Sequence, residues 1–413
     1  MKNMKISKIE AIEAMRPPLK QEGKWWDIRN KYGLGDSQSH QWKNSRLMFA
    51  LKVTTDSGLH GLYYGCDGAR LDVQMDRLRR HWALMQNENL LNFERLLEKT
   101  LQPLVDEPMD TCLWDLKGKF AGLPVHQLVG GAGRERIKAY ASSFRDVGSP
   151  EEYADQAQAC LEMGYQGYKI HVYCMLDPRT MTLGKKDMGY PDYDIEVCRA
   201  VRARVGDRMD LMLDPVGFYS LEESVRVGRE LEKLNFKWFE EPMNENEHPE
   251  RYAELRAQVK VPILSPEHAP GSFYTRAEWL RNGWTDFVRP SNDFTDMAKC
   301  MVVAQANRTR CEAHLGGFHK LQAIAAFPET VAEYYEMLLV EPGTEFYGFG
   351  FVPGGDPAFD RGDILVPQTP GMGLCDAVWD YAVENRLRSF EISKSNPDGL
   401  MTQHVAATVS QTK

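Results

Sequence analysis

The hexapeptide Lys237-Trp238-Phe239-Glu240-Glu241-Pro242 decides how this chain is read. Its apolar centre reads as a buried strand, yet it runs into two adjacent carboxylates and a proline. Taking a bare carboxylate out of water is costly unless a cation or hydrogen bonds answer it. Either the glutamates lie in a solvated loop, or something positive stands at the strand end. The neighbouring runs bear on that choice, because "RMDLMLDP" (208–215) and "VPILSPE" (261–267) end in carboxylates in the same way.

Further out, the same rhythm continues. From about residue 137, short apolar runs begin with "IKAYASS" (137–143) and "YQGYKIHVY" (165–173). After the three just quoted come "DFVRP" (286–290), "TRCEAH" (309–314) and "VAEYYEMLLV" (331–340). Helical patterns such as "SLEESVRVGRELEKL" (220–234) lie between them. Strands and helices alternating at roughly 25–30 residues predict a parallel (β/α) barrel with seven or eight helices. Ahead of it, residues 5–14 and 46–65 alternate as strands around the turn Asp56-Ser57-Gly58, and 68–123 read as helices. The expected organisation is an α+β capping domain over 1–136, a barrel over 137–365, and a tail over 366–413 that packs back on the cap.

The segment 21–45 is long, polar and carries Trp25, Trp26, Tyr32 and Trp42, which suits an ordered lid or plain packing. Its Lys24, Arg29 and His40 are candidate substrate contacts. Net charge is −9, and the run "RLRRH" (77–81) reads as a solvated helix face, so no nucleic-acid partner is expected. No window holds ~18 consecutive apolar residues, so no membrane span is expected. Eight scattered cysteines without a C-x-x-C pair suit reduced thiols in a cytoplasmic protein.

In such a barrel, C-terminal strand ends face the active site. Asp214, Glu240 and Glu267 stand at three successive ends, 26 and 27 residues apart. Three carboxylates at one mouth repel one another unless a divalent cation intervenes, and all-oxygen ligation with open positions suits Mg²⁺. By strand alternation Glu241 is expected to point away from Glu240, toward a strand–helix salt bridge. Lys169 and His171, two apart, are expected to face one lumen. There a cation would push the lysine pKa down, suiting it to act as a base or clamp. His314 ends the seventh run, across from His171. The chemistry such a set suits is removal of a proton α to a carboxylate, with the metal stabilising the enediolate. Taken singly, each residue has a plainer reading. A strand-end acid usually caps a helix or sits in a loop, a lone lysine snorkels, and a lone histidine is a satisfied core residue. His268 either touches substrate or braces Glu267.

"DTCLWDLKGKFAGLPVHQLVGG" (110–131), then K-x-H, Asp, Glu-Glu-Pro and "SPEH" in order, resembles the enolase superfamily, mandelate racemase branch. The resemblance implies a (β/α)7β barrel, one Mg²⁺, a small-molecule carboxylate substrate, a homo-oligomer, and a Lys or His base. It also implies an acid on strand eight, Glu336, with Glu333 as the competing choice. Three features depart from the branch. His171 stands where a second lysine is common. "DPVG" (214–217) lacks the histidine some sugar-acid dehydratases carry. The strand-six aspartate that partners the seventh-strand histidine has no counterpart in register, leaving Asp286, Ser291, Asn292 and Asp293 as candidates. The function expected is a hydro-lyase converting a sugar acid, aldonic or aldaric, to a 2-keto-3-deoxy acid. Lys169 or His171 would take the α-proton and His314 would help the β-hydroxyl leave. The alternatives are a racemase or epimerase of a 2-hydroxy acid, and a catalytically weak metal-dependent binding protein.

Overall fold

A computed structural model describes residues 3–17, 20–34, 47–66, 70–92, 94–96, 107–172, 175–184 and 189–404. The chain opens with strand β1 (Ile6–Met15), helix α1 (Lys24–Lys31), and strands β2 (Leu47–Thr55) and β3 (His60–Gly65). The three strands pair antiparallel. The β2–β3 hairpin closes where Gly58 donates to the Thr55 carbonyl at 3.0 Å; its φ of +84° is one that a side chain would resist. Helices α2 (Leu71–Met85), α3 (Glu107–Ala121) and α4 (Val125–Val129) follow.

The barrel begins at β4 (Arg136–Ser143) and alternates through α5 (Pro150–Glu162), β5 (Gly167–His171), α6 (Pro191–Val205), β6 (Asp210–Asp214), α7 (Leu221–Lys233), β7 (Trp238–Glu240), α8 (Arg251–Arg256) and β8 (Ile263–Leu264). Helices α9 (Phe273–Arg281), α10 (Phe294–Ala306) and α11 (Phe318–Ala326) lead to β9 (Tyr334–Leu339). Strands β4 to β8 pair in parallel order, and β9 closes the circle on β4. The sixth and seventh runs are reduced to single parallel bridges, Leu264 to Phe287 and Val288 to Cys311. Pro290, without an N–H, helps end the sixth run so early. Serine caps start the helices cleanly: Ser149 with Glu152 and Ser220 with Glu223 form reciprocal capping boxes.

Past the barrel, β10 (Phe359–Asp360) and β11 (Asp363–Leu365) form a hairpin whose second strand lies antiparallel on β4. The sequence reading has no counterpart for it. Helix α12 (Asp376–Glu384) then leads to β12 (Arg386–Ser393) and β13 (Asn396–Gln403). β12 pairs with β1, so the tail completes the first sheet. Among the described residues no helix is long and apolar enough to cross a membrane.

Period-two alternation builds the barrel interior in layers. Tyr140, Met212, Trp238, Leu264 and Tyr334, with Phe287 against them, form an apolar plug. Tyr140 meets Trp238 and Tyr334 edge-on, with ring centroids 5.6 and 5.9 Å apart. Gly167 lets this layer close, since a β-carbon there would come within 2.8 Å of Tyr140 Cβ. Two residues further along the same runs stand Lys169, Asp214, Glu240, Arg289 and Glu336. The charged layer is thus the next step up from the plug.

Contacts at α3 and α1 help tie the first helices to the barrel. Asp110 on α3 accepts from the N–H (2.9 Å) and Oγ1 (2.5 Å) of Thr295 at the start of α10, and Trp114 Nε1 donates to the same Oγ1 at 2.8 Å. At α1, the Glu341 carboxylate accepts the N–H groups of Trp25 and Trp26 at 2.7 and 3.1 Å.

Candidate active site

Lys169 lies at the centre of the charged layer, 1% exposed. Its Nζ is 3.1 Å from Asp214 Oδ2, 3.0 Å from Glu240 Oε1 and 2.9 Å from Glu336 Oε1. Burial presses its pKa down, but Glu240, Glu336 and Asp214 overcome it and hold it well above the ordinary lysine range. These contacts hold the Lys169 ammonium between three carboxylates.

Arg289, fully buried, is the second cation, and the sequence reading passed over it. Its guanidinium bonds Glu240 Oε1, reaches Glu336 Oε2 at 3.1 Å and Glu267 Oε2 at 3.2 Å, and donates to the Ala313 carbonyl at 2.8 Å. A signal for it was present: an arginine two residues after Phe287, in an otherwise apolar strand, points inward. Glu240 therefore takes Lys169 and Arg289 on one oxygen and the Trp238 indole N–H, at 3.0 Å, on the other. Of about four lone-pair positions on a carboxylate, three are used.

Above this layer a cavity of about 230 Å³ opens, lined by His171, Asp214, Glu241, Glu267, His268, His314 and Glu336 among others. The alternation that turned Glu241 away fails here. Its φ is +26°, so the chain leaves strand geometry at this residue, and the side chain swings to the mouth. There it accepts from His268 Nδ1 at 2.7 Å. Glu241, Glu267 and His268 bring ligand atoms within 4.8 Å of one another. Asp214 Oδ1 takes the Val216 N–H at 3.0 Å, and Oδ2 faces His171 Nε2 at 3.1 Å. The other ring nitrogen of His171, Nδ1, bonds the Ser143 carbonyl. The start of the loop carrying Glu267 and His268 is set by Glu245, whose carboxylate accepts both backbone N–H groups at 2.6–2.9 Å.

His314 Nε2 lies 3.3 Å from Glu267 Oε1. None of the strand-six candidates is among its contacts. Asp286 pairs with Arg256, Asp293 caps α10 by accepting the Asp296 N–H, and Ser291 Oγ donates to Asp293 and Asp296. Burial draws the His314 pKa down to about 3, with Glu336 opposing and Arg289 assisting.

The structure does not bring two lid residues into the cavity. Lys24, 59% exposed at its side chain, pairs with Asp155 on α5 at 3.2 Å. Arg29 is buried and donates to the Phe144, Arg145 and Asp146 carbonyls at 2.7–3.0 Å. It braces the loop after β4 that delivers Phe144 and Arg145 to the cavity wall. His40 lies outside the described residues. Glu333, the rival to Glu336, points to the other end of the barrel, where it meets Lys237 at 2.8 Å.

The carboxylates are not balanced by the chain's own cations. Burial and the neighbours Glu267, Asp214, Glu245 and Glu240 push the Glu241 carboxyl well above its ordinary range. A site whose acids resist ionising together, with oxygen donors at its mouth, fits a hard divalent cation.

Comparison with known proteins agrees with this geometry. An arabinonate dehydratase of Saccharolobus solfataricus is 29% identical over 348 residues, 78% of this chain and 87% of that protein. An L-talarate/galactarate dehydratase of Salmonella typhimurium is 29% identical over 239 residues, 56% of this chain and 55% of that one. The crystal structure of a D-glucarate dehydratase from Agrobacterium tumefaciens, complexed with magnesium, superposes with a TM-score of 0.77 at 27% identity, covering 93% of this chain and all of that one. The sequence pattern described as "Enolase C-terminal domain-like" matches residues 152–375. That match spans more than half of the chain, which belongs to the enolase C-terminal domain-like family.

Proposed function

We propose that the protein is a Mg²⁺-dependent sugar-acid dehydratase that yields a 2-keto-3-deoxy acid. One observation carries this reading: His171, Asp214, Glu241, Glu267 and His314 line a single cavity at the C-terminal mouth of the barrel. The relatives named as dehydratases of arabinonate, talarate or galactarate, and glucarate support the substrate class.

Asp214, Glu241 and Glu267 would hold the metal, with His268 beside them; Glu240, the ligand expected from the sequence, is taken up by Lys169, Arg289 and Trp238 beneath the cavity, and Glu241 stands in its place. When bound, Mg²⁺ supplies a Lewis acid for the substrate carboxylate, which makes the α-proton acidic enough to remove. Lys169 and Arg289 keep Glu336 ionised and hold Glu240 and Glu336 fixed beneath the site, so their donors are in place before substrate arrives. His171 and His314 handle the protons. His314, with Nε2 3.3 Å from Glu267 Oε1 in the same cavity, would accept the α-proton. His171, with an oxygen acceptor at each ring nitrogen, suits holding the proton that leaves with the β-hydroxyl.

The experiment is incubation with a panel of aldonic and aldaric acids and Mg²⁺, followed by a 2-keto acid assay. Keto acid from at least one member is expected. Exchange of the α-proton in deuterated water with no keto acid formed would replace the proposal by a racemase or epimerase. Neither exchange nor keto acid across the panel would reject both.

A further inference from the structure

A second cavity, of about 110 Å³, adjoins the catalytic one and shares Leu315 and Tyr347 with it. Its wall comes from β3 and α3 of the first domain, the start of α11 and the loop after β9, with Tyr335 of β9, Leu374 and the sequence candidate Asn292 also on it. Nothing in the proton chemistry above uses it.

Its polar atoms set it apart. Thr111, on α3, is fully buried, and among the described residues its Oγ1 has no hydrogen-bond partner. Glu345 Oε2, in the loop after β9, is buried and likewise without one. His319 Nε2, on α11, faces Glu107 Oε1 at 3.2 Å without a hydrogen bond of good geometry. Thr111 Oγ1 and Glu345 Oε2, from two separate elements, thus lack partners at one small space, with the His319–Glu107 pair beside them. Buried polar atoms in native proteins are nearly always satisfied, so a cluster of unsatisfied ones marks a place where a polar ligand completes the structure. The Glu345 carboxyl is also pushed well above its ordinary range, first by burial and then by Asp356 and Glu336. In its neutral form it can donate as well as accept. Gly316 keeps the space open, because a β-carbon there would fall 2.3 Å from Tyr335 Oη and 3.0 Å from Glu345 Oε2.

We infer that this second cavity receives the hydroxyl-bearing tail of the substrate, beyond the carbons that react, and that Thr111, His319 and Glu345 select acids long enough to reach it. The inference rests on the dehydratase reading for the identity of the reacting end. It narrows the substrate class to polyhydroxy acids of about five or six carbons, whose outer hydroxyls pair with the three side chains. Hydroxyls suit these partners because each can donate and accept.

Thr111→Val tests this, since valine keeps the shape and removes only the orphaned oxygen. Binding of a six-carbon and a four-carbon hydroxy acid is measured by calorimetry in the Mg²⁺-loaded protein, and kcat/KM for both where turnover occurs. The six- to four-carbon preference is expected to fall about tenfold, the size of one lost hydrogen bond. The melting temperature of the unliganded variant should not fall, because the hydroxyl gains nothing there. Glu345→Gln should shift the same preference in the same direction. An unchanged preference in both variants, or a lowered melting temperature with unchanged preference in Thr111→Val, would overturn the inference. The dehydratase reading fails separately, if the wild type makes no keto acid from any acid; the calorimetric preference still decides the subsite.

Discussion

The two ends of the barrel carry similar residues and treat them oppositely. At the N-terminal end, Lys237 bridges Asp210 (2.5 Å) and Glu333 (2.8 Å), Arg310 also pairs with Glu333, and Tyr334 Oη donates to Asp210 at 2.7 Å. The Asp210 carboxyl is held below its ordinary range there, Lys237 and Tyr334 overcoming the opposing burial. At the C-terminal end Glu241 is pushed the other way. One end satisfies itself and serves stability. The other keeps an excess of negative charge that a ligand must complete, which is the division of labour expected of this architecture.

The sharpest way to break that contrast is at the mouth. Asp214→Asn should lower kcat by about 10²–10³-fold or more, as loss of a group that organises charge in the transition state does. The fold should survive, checked by circular dichroism. Retained activity would mean that the mouth is not the reacting site.

The tandem glutamates sharpen it further. Glu240→Gln removes the shared partner of Lys169 and Arg289 and leaves buried charge uncompensated, which costs about 3–5 kcal/mol of stability by urea denaturation. Glu241→Gln should cost little stability, but should weaken Mg²⁺ binding by calorimetry. It should also abolish most of the Mg²⁺-dependent rise in melting temperature, worth about 2.7 kcal/mol when metal stands at a hundredfold excess over Kd. Equal loss of metal affinity in both variants would place both glutamates at the ion.

How much of this could be read in advance follows from the same contrast. The strand ends bearing Lys169, His171, Asp214, Glu240, Glu267 and His314 were legible because period-two alternation and βα spacing are local properties of sequence, whereas Glu336 came only from the family resemblance. Glu241 was not, because its direction is set by a positive φ at the strand end, which alternation does not encode. Arg29 and Lys24 were misplaced because polarity in a loop says nothing about which way the loop folds. The short bridges at Phe287 and Val288 blurred the sixth strand and hid Arg289, the cation on which the charged layer turns.

A pH experiment probes the closed end. Glu312 is buried, accepts the Glu333 and Tyr334 N–H groups, and has its pKa raised to about 7, with burial the first cause. A carboxyl raised in the folded state contributes its full stability below the unfolded pKa of about 4.5 and loses it as pH climbs to about 7. The loss is on the order of 3 kcal/mol. Glu312→Gln removes the titration, so the stability of the variant relative to wild type should rise from pH 5 to pH 8. A gap independent of pH would mean that Glu312 is ionised throughout.

The smallest effect is expected at Lys237. Lys237→Met leaves Glu333 with Arg310, and Lys138 3.6 Å away, while Asp210 keeps the Tyr334 hydroxyl and is 42% exposed at its side chain. Water screens what the lysine supplied, and the methionine retains its apolar stem, so the cost should be no more than about 1 kcal/mol. The apolar plug of Tyr140, Met212, Trp238, Leu264 and Tyr334 separates this end from Lys169 and Glu240. Turnover should therefore be unchanged. A tenfold fall in kcat/KM would mean that the plug transmits charge or strain between the two ends, and that the closed end belongs to the catalytic machinery after all.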